Sequence, residues 1–137
     1  HAQSTLLSPN ELEKFILPFD QKIINATSHL WLNVLHLHGK DIYFDLFPKE
    51  GFSVVNWHDQ ETSPSLQAAK SSFQCAVCGG LKQWETLVYS SPKDVESEGK
   101  QAIQATSGER FILGTGCVLP IIAPRSNIQA ARKSVEK

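Results

Sequence analysis

His36 and His38 stand two positions apart near the end of an apolar run, residues 30–38. On an extended strand, residues two apart project from one face with Cα atoms about 7 Å apart, so the two imidazoles are placed to chelate one ion. Zinc takes nitrogen and thiolate donors in a tetrahedral array, and a catalytic zinc keeps three protein ligands and an open position. Cys117, in Gly114-Thr115-Gly116-Cys117, is the candidate third ligand. The competing reading is one hydrogen-bonded histidine beside a solvated one. His58-Asp59 is a candidate acid/base or substrate-orienting pair, because imidazole titrates near neutrality and a carboxylate fixes its tautomer. Its alternative is a capped, hydrated loop. Asn56, Gly79 and Gly80 are candidate cofactor contacts, the glycines through their backbone amides, although no Walker or dinucleotide fingerprint follows them. Cys75-Ala76-Val77-Cys78 has CxxC spacing, but strand residues three apart face opposite sides, which favours two small buried side chains over a shared metal or disulfide. Trp31, Phe52, Trp57 and Phe111 read as core.

These side chains need elements to hold them. Ser8-Pro9-Asn10-Glu11 is a capping box, and Leu12, Phe15, Ile16, Phe19, Ile23 and Ile24 follow at helical spacing. Pro18 lies inside that pattern and should kink or divide it. Residues 30–38 read as a strand buried on both faces and closed by Gly39. A helical stretch near 41–47, a strand over 52–57 and a helix opening near Ser63-Pro64 come next. A third strand should end at the turn Gly79-Gly80. Ser91-Pro92-Lys93-Asp94 caps a helix stopped by Gly108, residues 111–114 form the fourth strand, and Ser126 or Asn127 caps a final helix.

The alternation predicts an α/β fold of four parallel strands alternating with helices. The chain reads as one unit over 1–137, with a leading helix over 1–28 and four βα units over 29–137. A complete (β/α)8 barrel needs about 250 residues, so this length would hold roughly the C-terminal half of a TIM barrel, whereas a doubly wound sheet could be complete.

Composition narrows the function classes. Of 137 residues, 41% are hydrophobic and 20% charged, with thirteen basic against fourteen acidic side chains, so the chain is globular and its net charge is −1. Interspersed charge argues against a nucleic-acid partner, and no apolar run approaches the roughly 20 residues that span a bilayer. The first residues lack the features of a leader peptide, and the chain is expected to be a fragment. Three cysteines, an odd number, read as reduced thiols, which implies a cytoplasmic setting. Asn25-Ala26-Thr27 matches a glycosylation acceptor and is read as chance; His29 is assigned no role. Four βα units would leave two sheet edges open, so a partner is expected: a missing N-terminal half or a second copy in a homodimer.

The strand-end motifs His36-Leu37-His38-Gly39, Val54-Val55-Asn56-Trp57-His58-Asp59, Cys78-Gly79-Gly80-Leu81 and Leu113-Gly114-Thr115-Gly116-Cys117-Val118-Leu119-Pro120, with Pro124 and Asn127, resemble the last four strands of the uroporphyrinogen decarboxylase superfamily. The resemblance covers nearly the whole chain and implies a (β/α)8 barrel. It also implies one of two activities: cofactor-free decarboxylation in haem biosynthesis, or zinc-dependent methyl transfer between corrinoid proteins and thiols. The methyltransferase branch has a His-x-Cys pair and a distant Cys; His36 and Cys117 fall on two of these positions, and His38 stands where the second would be Cys. The decarboxylase branch has Gly-His-Gly where this chain reads Gly114-Thr115-Gly116. The resemblance therefore favours zinc held by His36, His38 and Cys117, with a thiol, corrinoid or tetrapyrrole as small-molecule substrate. A carboxy-lyase and a non-catalytic assembly module are the alternatives. The longer enzyme is expected to be active and the 137-residue chain alone inactive.

Overall fold

The computed structural model describes residues 3–136; His1, Ala2 and Lys137, at the ends of the expected single unit, lie outside the described residues. Helix α1 (Pro9–Phe15) opens as a capping box: the Ser8 hydroxyl accepts from the Glu11 N–H, and the Glu11 carboxylate accepts from the Ser8 N–H. The leading helix is two helices. The chain breaks at Ile16, and α2 (Leu17–Thr27) places Pro18 in its first turn, where a missing N–H leaves no bond unmade.

Four strands follow: β1 (Val34–Leu37), β2 (Val54–Trp57), β3 (Ala76–Leu81) and β4 (Phe111–Thr115). They pair in the order β1-β2-β3-β4, all parallel, with α3 (Leu66–Ser72) before β3, α4 (Pro92–Ala105) before β4 and α5 (Arg125–Ser134) after it. Sequential parallel neighbours, here joined through a 3-10 turn between β1 and β2 and through α3 and α4 thereafter, are the arrangement of part of a TIM barrel.

Register aligns His36 with Asn56, Asn56 with Cys78, and Cys78 with Ile112, forming a row across the sheet. The residues that alternate with this row, including Leu37, Val55, Trp57 and Val77, face the helices and form the core with Leu12, Phe44 and Phe73. Within it the Phe44 ring stands edge-on to Trp57 at 5.0 Å and to Phe73 at 5.1 Å between centroids. A second cluster of Leu81, Leu87, Val95 and Ala130 joins β3 to α4 and α5.

The structure corrects several local expectations. Residues 41–47 form only a 3-10 turn, Phe44–Leu46, because Pro48 forces Phe47 to an extended ψ of 147°. Strand β1 is four residues long and half open, since it is an outer strand of the sheet. Trp31 lies outside it and is 90% exposed, not core. Gly79 and Gly80 are not a turn: β3 runs through them to Leu81. Helix α5 has Pro124 at its cap position without a side-chain cap. Asn127 is instead buried within the helix, where its amide donates to Leu87 O at 3.0 Å and Ser90 O at 2.8 Å.

Candidate metal centre

The carboxyl ends of β1, β2 and β4 converge. His38 and His58 each follow the last residue of their strands, and because Leu37 pairs with Trp57, the parallel register sets the two imidazoles side by side. His38 Nδ1 is 3.3 Å from His58 Nε2, with the rings edge-on at 4.9 Å between centroids. Cys117, two residues beyond β4, brings its Sγ to 3.5 Å from the same His38 Nδ1.

That approach depends on Gly116. A Cβ there would lie 2.6 Å from His58 Cα and 2.7 Å from Trp57 O, so only glycine lets the end of β4 close against the end of β2. The Thr115 hydroxyl donates to Cys117 O at 2.5 Å and tightens the bend.

One donor atom each from His36, His38, His58 and Cys117 lies within 4.8 Å of every other. Around a tetrahedral zinc, with bonds of about 2.0–2.1 Å to nitrogen and about 2.3 Å to sulfur, two nitrogens stand roughly 3.3 Å apart and a nitrogen and a sulfur roughly 3.6 Å. The separations of 3.3 Å and 3.5 Å match those edges, so the donors fit such an ion in both type and spacing. Burial, followed by the neighbouring His58 and His36, holds the His38 pKa below its ordinary value and favours the neutral imidazole that donates a lone pair. His58 is buried, and its Nδ1 has no hydrogen-bond partner; the nearest carboxylate oxygen, Glu61 Oε1, is 3.7 Å away. A carboxylate behind a histidine nitrogen is the usual outer partner of a metal-bound imidazole.

The structure sets Asp59, Gly79 and Gly80 apart from this cluster and places Asn56 against it. Asp59 turns away from His58: its carboxylate accepts from Gly80 N at 3.0 Å and from Gln60 Nε2 at 2.7 Å, while burial raises its pKa despite these bonds. Gly79 is needed because a Cβ would run into that carboxylate. Asn56 sits within the sheet, bonded to His36 Nδ1 at 2.6 Å, Cys78 O at 2.9 Å and Thr115 O at 3.1 Å. The last of these bonds reaches from β2 past β3 to the end of β4, which shows how strongly the sheet curves. Cys75 packs towards the helical core, whereas Cys78 lies beside Asn56; both thiols are free, and burial pushes both pKa values up. His58 as a fourth donor, Glu61 behind it and Gly116 were missed by sequence reasoning. The signal was available for His58, which follows His38 by the same twenty positions that separate Asn56 from His36.

Comparison with known proteins places this chain in a family. The family model described as uroporphyrinogen decarboxylase (URO-D) matches residues 2–137. A uroporphyrinogen decarboxylase from Geotalea daltonii is 33% identical over 131 residues, covering 90% of this chain and 36% of that protein. The methylcobamide:CoM methyltransferase MtbA of Methanosarcina mazei is 28% identical over 131 residues, covering 93% of this chain and 37% of its own length. A solved methyltransferase from Methanosarcina mazei superposes with a TM-score of 0.79 at 22% identity, over 97% of this chain and 38% of that one. The chain thus spans little more than a third of the length of these relatives. On the strength of the family match across almost every residue, the chain belongs to the uroporphyrinogen decarboxylase (URO-D) family.

Proposed function

We propose that the chain carries the metal-binding part of a zinc-dependent methyltransferase, with His36, His38, His58 and Cys117 as the donor set. The observation that carries this reading is the pair of tetrahedral-edge separations at His38 Nδ1, 3.3 Å to His58 and 3.5 Å to Cys117. Zinc bound there would supply Lewis acidity that lowers the pKa of a thiol taken up in place of one of the four donors, three protein ligands and an open position being the catalytic arrangement, and would make that thiol nucleophilic at neutral pH. The chain's own contribution is to hold the donors apart at that spacing, to keep His38 neutral, and to bury His58 so that solvent approaches from one side. His36 is the exposed member of the set, so a substrate thiol would arrive on its flank. A methyl donor would be a corrinoid, in keeping with the methylcobamide named for one relative.

Zinc titration of the purified chain tests the proposal. One zinc per chain is expected, with affinity falling at least tenfold in His38→Ala and in Cys117→Ala, whereas Asp59→Asn retains it. A wild-type chain that takes up no zinc, or a Cys117→Ala variant with unchanged affinity, overturns it. A metal-free carboxy-lyase is the second reading, favoured by the relatives named as uroporphyrinogen decarboxylases. Tetrapyrrole turnover insensitive to chelator in a longer enzyme carrying this segment would select it.

A further inference from the structure

Asn56 stands within the row that crosses the sheet, and three hydrogen bonds fix the orientation of its amide. Its side-chain nitrogen lies 2.9 Å from Cys78 O and 3.1 Å from Thr115 O. Backbone carbonyls only accept, so both amide hydrogens are committed to them. The amide therefore cannot be reversed, since its oxygen would then face two oxygens. With the nitrogen fixed, Oδ1 is aimed at His36 Nδ1, 2.6 Å away. That oxygen also only accepts, so Nδ1 must carry the hydrogen. A neutral imidazole has a single N–H, which leaves the lone pair on Nε2.

We propose that Asn56 is a positioning residue that fixes His36 as the Nδ1–H tautomer, leaving Nε2 as the nitrogen offered to an electrophile. That the electrophile is zinc rests on the reading above; the tautomer does not. Free histidine side chains in water favour the opposite form, Nε2–H, in which the outward nitrogen has no lone pair to give. The lock is assembled from three strands: the amide comes from β2, and the carbonyls that orient it from β3 and β4. His36 is thus set for coordination only when those strands have closed beside β1.

The test is nitrogen-15 NMR of the uniformly labelled 137-residue chain, without metal, at a pH where the imidazole is neutral. Two-bond proton–nitrogen correlations distinguish a protonated ring nitrogen from a bare one. The wild-type chain is expected to show His36 with Nδ1 protonated and Nε2 bare. Asn56→Leu, which removes the acceptor, is expected to shift His36 towards Nε2–H and to weaken zinc binding by about 10- to 100-fold, the usual effect of losing an outer partner. A wild-type spectrum with Nε2 protonated overturns the proposal, and this arm does not depend on how the variant folds. A folded Asn56→Leu chain that keeps Nδ1–H also overturns it. If the tautomer switches as expected but wild-type chain takes up no zinc, the Asn56 assignment is supported and the metal reading fails.

Discussion

At the scale of single residues, the site depends on one hydrogen atom at position 116. Gly116→Ala should force the end of β4 away from His58 and Trp57, at a cost of about 1–3 kcal/mol typical of overpacking. Because Cys117 moves with it, zinc affinity should fall along with the midpoint of thermal unfolding. A variant with wild-type values for both would remove this account of how β4 closes. The sequence shows which residue types are present, and His36, His38 and Cys117 are legible from type and strand-end placement. It does not show which residue from another strand approaches them. His58 reads as half of a pair with Asp59 because they are adjacent, yet their side chains part: one lies at the rim with His38, the other under Gly80. Adjacency along a strand end says little; position across the parallel register says more.

At the scale of elements, helix boundaries are the most legible feature, because they are written locally. Both capping boxes, at Ser8 and Ser91, form with the partners their spacing implies. Strand limits are less legible because neighbours set them. The apolar residues 30–32 look like buried strand, but β1 has no strand on its outer side to pair with, so regular structure begins only at Val34. Gly79-Gly80 reads as a turn because nothing local reveals that the Asp59 carboxylate must fit against it.

A prediction belongs to the contact between α4 and the end of β3. The Glu98 carboxylate accepts from Lys82 N at 3.2 Å and from the Thr86 hydroxyl at 3.1 Å. Burial nonetheless raises its pKa above the ordinary 4.5, with nearby Asp59 adding to the rise. A folded-state value above the unfolded one means that this contribution to stability is complete below about pH 4.5 and is lost as pH rises through the folded value. Glu98→Gln should keep both contacts, with the threonine hydroxyl reversing its role, and should flatten the fall in stability over that interval. Urea melts across a pH series measure it; an unchanged slope would show that Glu98 is not the source.

At the scale of the whole molecule, the sheet ends at β1 on one side and β4 on the other. Val34 on β1 and Ile112 on β4 are about half exposed, and both outer strands present unpaired backbone groups. We expect the chain to associate through these edges, either with a second copy or with the strands its longer relatives contain. Light scattering of the chain should report a mass above that of one copy, and Val34→Lys with Ile112→Lys should lower it. A wild-type chain that stays monomeric at high concentration would refute the expectation. Among the described residues, no helix is long and apolar enough to cross a membrane.

The contact between His38 and Cys117 joins residues 79 positions apart. An ion shared by them would act as a reversible clip on most of the polypeptide, removing conformations from the unfolded chain much as a covalent crosslink does, and the stabilisation would grow with the logarithm of free ion concentration. A nascent chain could not close the clip until Cys117 had been synthesised, so in such a protein ion capture would coincide with the completion of folding.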